Sequence, residues 1–141
     1  SENRNESESL LDSVSKALPA LSKAYHYQRK AAKVGFDWPN VEDAWAKVLE
    51  ELNEFQAEVK TNSQQKEKAI GEFGDILFAL VNVGRFYGIE PEEALIMTIE
   101  KFSRRFRFIE KRARDEGKSL NSMSLEEMDQ YWEEAKMKEG D

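Results

Sequence analysis

The residues best placed to do chemistry are four carboxylates in two short stretches, Glu51 with Glu54 and Glu72 with Asp75. Each pair is spaced i, i+3, which puts both acids on one face of a helix. Around the first pair, Val41, Trp45, Val48, Leu52, Phe55 and Val59 step by four and three, the pattern of an amphipathic helix with a narrow apolar stripe. Lys47, Glu51, Glu54 and Glu58 form the row one residue earlier, so these side chains are expected beside the core. The second pair lies in a more apolar run, Ala69 to Ile89, where charge enters only at Glu72, Asp75 and Arg85, with Asn82 as a further polar group. A carboxylate in such a helix is costly unless it is paired, hydrogen-bonded or metal-bound. If the two helices pack antiparallel, four carboxylates converge, repel one another and raise each other's pKa values. A divalent cation resolves that conflict, and ligands offering only oxygen suit a hard ion, Mg²⁺ or Mn²⁺.

Helices must position these acids. Leu10 to about Val34 is helical in pattern, with the main helix entered near Pro19, since proline is tolerated in a first turn. Leu21, Ala24, Tyr25, Ala31 and Ala32 are its expected buried positions, and Gly35 ends it. Phe36 to Asn40 reads as a loop. The acidic helix follows, about Val41 to Thr61, then a polar break over Asn62 to Gln65, then the apolar helix from about Gln64 to Tyr87, closed by Gly88. Pro91 opens a helix running to about Asp115, with Leu95, Ile99, Phe102, Phe106 and Ile109 on one face and Gly117 as its stop. Ser124 with Glu127 forms a capping box for a last helix, Leu125 to Lys138. The expected architecture is an all-α bundle of four to five helices, residues 10–138, preceded by a flexible arm or linker over residues 1–9.

The Pro91 helix carries the third chemical feature. Lys101, Arg104, Arg105, Arg107, Lys111, Arg112 and Arg114 crowd its second half, and Lys101 and Arg105 share a face with Arg104 beside them. Arginine suits bidentate phosphate binding and lysine supplies a point charge. An acidic metal cluster together with a basic face is what a metal–triphosphate substrate requires.

The ordered set Glu50-Glu51-x-x-Glu54, Glu72-x-x-Asp75 and EKFSRRF, with AAKVGFDW before it, resembles the MazG-type nucleoside triphosphate pyrophosphohydrolases, whose signature is EExxE followed by ExxD. The resemblance extends from about Leu18 to Trp132. It is strongest to the C-terminal domain of two-domain bacterial members, where a similar linker leads into an LPALxxA stretch. It therefore implies that a chain beginning at Ser1 is a fragment. It implies that Glu51, Glu54, Glu72 and Asp75 are metal ligands and that Lys47, Lys101 and Arg105 contact the nucleotide, with Trp132 an aromatic near it. The implied reaction is Mg²⁺-dependent hydrolysis between the α and β phosphates, by a homodimer with sites near the subunit interface. Glu51 and Glu54 hold the catalytic metal in that scheme, and Glu50 is a candidate for orienting the attacking water or for a supporting role behind the ligands. Gly71 departs from relatives that carry a further acid there, and Lys66 and Lys68 make this helix start more basic.

Plainer roles stand beside these. Glu50, Glu51 and Glu54 taken alone read as a solvated helix face in a chain that is 35% charged. Glu72 and Asp75 alone could form a buried salt bridge, and the basic run could be a solvated surface. Phe36 and Trp38 could stack on a base, although anchoring their loop in the core is the more ordinary role. Asn82 could reach Asp75, and His26 between two tyrosines reads as structural. Rival functions are a dUTP-type or phosphoribosyl-ATP-type pyrophosphohydrolase and a non-catalytic nucleotide-binding or regulatory domain. A di-iron carboxylate site needs two ExxH motifs, which a chain with one histidine lacks. The net charge of −7 argues against a nucleic-acid partner. The absence of cysteine removes thiol chemistry and suits a cytoplasmic setting, and no apolar run is long enough to span a membrane.

Overall fold

Proline and glycine set the helix boundaries. The computed structural model describes residues 8–61 and 66–140, and there the chain is helical with no strand. A 3₁₀ turn at Leu10–Ser13 precedes α1 (Ala20–Lys33), α2 (Val41–Thr61), α3 (Lys66–Phe86) and α4 (Pro91–Asp115). A second 3₁₀ turn, Leu120–Ser122, leads into α5 (Leu125–Lys138). The all-α expectation is met. Pro19 stands at the N-cap of α1, so Leu10–Ser13 is a separate turn and not the start of that helix. Gly88 takes φ +70°, a value that favours glycine, and lets the amide of Ile89 donate to the Gly84 carbonyl at 2.9 Å. The polar break at Asn62 to Gln65 and residues 1–7 of the expected arm lie outside the described residues.

The chain forms two compact units, Ser1–Ala94 and Leu95–Asp141. In the first, α2 and α3 pair antiparallel. Ala44 and Val48 pack with Ala79 and Val83, Phe55 meets Phe73 edge-on, and Lys68 reaches Glu58 at 3.3 Å. α1 lies on α3, where the Gln28 side-chain amide donates to the Phe78 carbonyl at 2.9 Å. The small side chains at the α2–α3 seam let the two backbones come close.

The burial within this unit differs from the sequence expectation. On α2 the buried residues are Ala44, Val48, Glu51 and Glu58, while Trp45, Leu52 and Val59 of the expected stripe are exposed. The inward face therefore takes Val48 and Phe55 from the expected stripe and Glu51 and Glu58 from the acidic row, while Glu54 stays exposed. On α1, Leu21, Ala24, Tyr25, Ala31 and Ala32 are half-buried, and the buried side chains are Ser22 and Gln28. Both are hydrogen-bonded, Ser22 donating to Glu90 at 2.6 Å, which is how polar groups are tolerated in a packed seam.

The second unit has its own core of Ile109, Ala113, Met123 and Tyr131, with Leu120, Met128 and Trp132 against it. The expected face of α4 contributes only Ile109, and Leu95, Ile99, Phe102 and Phe106 are exposed. The capping box at the start of α5 forms as anticipated, with the Glu127 amide donating to the Ser124 hydroxyl at 3.1 Å. Glu116 gathers a polar network: the Tyr131 hydroxyl donates to it at 2.8 Å, Arg112 at 2.6 Å, and Lys118 lies at 3.4 Å. The tyrosine hydroxyl and then the arginine hold its carboxyl down at about 2. Among the described residues no helix is long and apolar enough to cross a membrane.

A lowered folded-state pKa stabilises the fold above the ordinary carboxylate range, and the contribution is lost as pH falls through the folded value. The Glu116 contribution is therefore complete above 4.5 and disappears toward about 2. Glu116→Gln should lower the thermal midpoint at pH 7 and flatten its fall across that acid window, as measured by circular dichroism melts.

Candidate active site

Pairing of α2 with α3 turns Glu51 into the seam, where it is 6% exposed. One carboxylate oxygen each from Glu51, Glu72 and Asp75 lie within 4.8 Å of one another. A second group of the same tightness joins Glu50, Glu51 and Glu54. The four expected ligands are thus divided between two triads that share Glu51, with Glu50 completing the one that holds Glu54. Glu72 is half-buried, whereas Glu50, Glu54 and Asp75 are exposed. Neither Glu72 nor Asp75 has an ion-pair partner in its own unit among the described residues.

Charge at the site is incompletely balanced. Lys47 Nζ lies 2.8 Å from Glu50 and 3.9 Å from Glu51. Burial pushes the Glu51 carboxyl above its ordinary value, and contact with Glu54 pushes it further, while Lys47 pulls against both. Lys47 in turn is held protonated above its usual range, chiefly by its hydrogen bond to Glu50. The donor set fits a hard divalent cation. Oxygens around an octahedral Mg²⁺ at 2.0–2.1 Å stand about 2.9 Å apart when adjacent and about 4.2 Å apart when opposed, so groups within 4.8 Å can share an ion once the side chains draw together. Such an ion would also relieve the repulsion at the buried carboxylate.

A cavity of about 690 Å³ adjoins the acids within the first unit. Glu51, Asp75 and Lys47 line one part of it, and Phe36, Trp38 and Phe78 supply aromatic wall. The Phe36–Pro39 loop is tied to α3 by an ion pair between Asp37 and Arg85. Arg85 Nε also donates to Asn82 Oδ1 at 2.9 Å, so Asn82 is engaged by Arg85. The expectation that Phe36 and Trp38 anchor their loop in a core is not met: Phe36 is 81% exposed and Trp38 41%. Glu58, passed over as a site residue in the sequence, is buried one turn beyond Glu54, and its Oε2 has no hydrogen-bond partner among the described residues. Its place in the Lys47, Glu51, Glu54 row was the available signal.

The remaining expected contacts belong to the second unit. Arg105 is buried, lies 2.9 Å from Glu139 and stands 5.2 Å over the Trp132 ring. Arg104 reaches the same glutamate at 3.5 Å. Lys101 is half-buried on the same helix, and Phe102 packs on Trp132. Glu139 went unnoticed in the sequence. An acid at a helix C-terminus opposes the helix dipole, which is a hint that it has a cationic partner.

A carboxyl whose folded-state pKa is raised costs stability once the pH exceeds its ordinary range, and the cost is complete above the folded value. Without divalent cations, Glu51→Gln should therefore melt at a higher temperature than the parent chain at pH 8. The difference should shrink as pH is lowered toward 4.

Known proteins align with nearly all of this chain. It is 59% identical to the uncharacterised protein YabN of Bacillus subtilis over 134 residues, which is 94% of this chain and 27% of YabN. It is 39% identical to the nucleoside triphosphate pyrophosphohydrolase/pyrophosphatase MazG of Thermotoga maritima, over 91% of this chain and 48% of that protein. It is 38% identical to the nucleoside triphosphate pyrophosphohydrolase of Escherichia coli, over 94% of this chain and 51% of that protein. No family model matches. The chain spans about half the length of the two named pyrophosphohydrolases and about a quarter of YabN. The all-helical architecture and the acids of α2 and α3 brought together are consistent with a MazG-like domain, similar to about half of each named pyrophosphohydrolase.

Proposed function

We propose that this domain, residues 10–138, hydrolyses nucleoside triphosphates between the α and β phosphates, releasing a nucleoside monophosphate and pyrophosphate. The observation that carries this reading is the buried Glu51 shared by two carboxylate triads, in a chain similar to proteins named for that activity. Glu51, Glu54, Glu72 and Asp75 would hold Mg²⁺, with Mn²⁺ able to replace it. Bound there, the cation would neutralise phosphate charge and make water a better nucleophile.

The chain's own residues have separable tasks in this reading. Lys47 meets a phosphate oxygen and balances Glu51. Glu50, hydrogen-bonded to Lys47 at 2.8 Å, orients the attacking water and accepts its proton. Lys101, Arg104 and Arg105 offset charge on the nucleotide phosphates, and a phosphate at either arginine competes with Glu139 for it. Trp132 lies against the nucleotide. The setting is the cytoplasm, where nucleoside triphosphates are made and used. A second copy of the chain covers the exposed apolar rows of the α2–α3 pair, among them Leu49, Leu52, Ile70, Phe73 and Leu77.

Incubation with each ribo- and deoxyribonucleoside triphosphate and Mg²⁺ should yield monophosphate and pyrophosphate, and a chelator should stop it. Glu51→Ala and Asp75→Ala should lower turnover at least about a hundredfold with helicity unchanged by circular dichroism. Diphosphate with phosphate as products, or normal turnover in both variants, would refute the assignment.

A further inference from the structure

The end of α5 places an acid where a helix least favours one. Glu139 follows Lys138 as the C-cap residue, its amide donating to the Ala135 and Lys136 carbonyls at 3.2 and 3.1 Å. The negative end of the helix dipole opposes its charge there, so cations have to support it. α4 supplies them from within the same unit. Arg105 Nε donates to Glu139 Oε1 at 3.0 Å, and Arg105 Nη2 lies 2.9 Å from the same oxygen. Arg104 Nε reaches Oε2 at 3.5 Å. Two neighbouring arginines thus converge on one carboxylate, the reverse of Arg112, where two acids share one guanidinium.

The two sides of this contact are held with different firmness. Arg105 is 5% exposed, and its guanidinium lies 5.2 Å over the Trp132 ring, which itself packs on Phe102. The ring holds the plane of the guanidinium fork, so the fork stays in place when the anion before it changes. The Glu139 side chain is 25% exposed and stands at the end of its helix. Rotation about its own side-chain bonds is enough to turn the carboxylate into water. The edge of Arg105 that carries Nε and Nη2 accepts carboxylate or phosphate oxygens alike. A phosphate, with more charge and more acceptor oxygens than a carboxylate, can take the place of Glu139 without moving a helix.

We propose that Glu139 is an intramolecular competitor of the nucleotide phosphates, which occupies Arg104 and Arg105 until a phosphate displaces it and so sets the affinity of the site. This deepens the assignment of those arginines to the phosphates of a nucleoside triphosphate, and it rests on that assignment. Only the fraction of molecules with Glu139 swung away can receive a phosphate there. The affinity of every phosphate ligand is therefore lowered by one common factor. The same competition clears the arginines after cleavage, because the returning carboxylate replaces the product phosphate.

Calorimetric titration of the whole metal-free chain with orthophosphate, pyrophosphate and tripolyphosphate tests this without any reaction. Glu139→Gln keeps the shape of the side chain and removes its charge, and it should tighten all three ligands by a similar factor, about tenfold. Glu134→Gln removes the same unit of charge from α5, but at Arg112, and should change none of them by more than about twofold. A gain in Glu139→Gln that grows steeply with ligand charge, or an equal gain in both variants, overturns the proposal, because the general field of the chain then explains it. Unchanged affinity, or no phosphate binding in Glu139→Gln, also overturns it. If Glu139→Gln melts early, tripolyphosphate should raise its thermal midpoint more than that of the parent chain. Equal or smaller rises would make Glu139 a structural tie only. Normal triphosphate cleavage with no affinity change in Glu139→Gln would defeat the competition and leave the reaction standing. The affinity change in a chain that cleaves no triphosphate would do the opposite.

Discussion

Burial of the Glu51 carboxylate between α2 and α3 is the constraint on which the first unit depends. Ala44, Val48, Ala79 and Val83 are small enough to let the two helices approach closely at one end of the seam. Glu51 lies two turns along the same inward row, so close packing there carries the acid inside with it. Taking a carboxylate out of water costs several kcal/mol, and a lysine at 3.9 Å offsets only part of that. The fold accepts a locally unfavourable charge and recovers the loss through the apolar contacts on either side.

The same rotation of α2 explains the exposed apolar surface. A helix has one inward face. When the row with Glu51 and Glu58 takes it, Trp45, Leu49, Leu52 and Val59 turn outward. Their apolar character then serves another surface. Trp45 retains one polar tie, its indole N–H donating to the Tyr87 hydroxyl at 3.2 Å.

The second unit solves a different electrostatic problem. Arg104, Arg105 and Arg112 on α4 are paired with acids that follow α4 or that lie on or just after α5. Arg112 is shared between Glu116 and Glu134, and Arg104 and Arg105 share Glu139. The rings of Trp132 and Tyr131 lie under Arg105 and Arg112, so two guanidinium groups are also held by aromatic faces. Arginines arranged in this way are held in fixed positions, with their side-chain entropy already lost.

Local chemistry was readable in the sequence because it acts over a few residues. The helix boundaries at Pro91, Gly88 and Ser124, the all-α class and the i, i+3 acid pairs all follow from backbone and neighbour effects. The apolar periodicity of α2 correctly marked a helix and placed Val48 and Phe55 in the seam, but it also put Trp45, Leu52 and Val59 there, because periodicity records which residues avoid water and not which surface covers them. Only the packing of α2 on α3 decided that Glu51 and Glu58 point inward, that Glu51 joins two carboxylate groups, and that Phe36 and Trp38 stand beside a cavity. Those outcomes depend on how closely two particular helices approach, which is set by small residues on both of them, Ala79 and Val83 lying far in sequence from the Glu51 they help to bury.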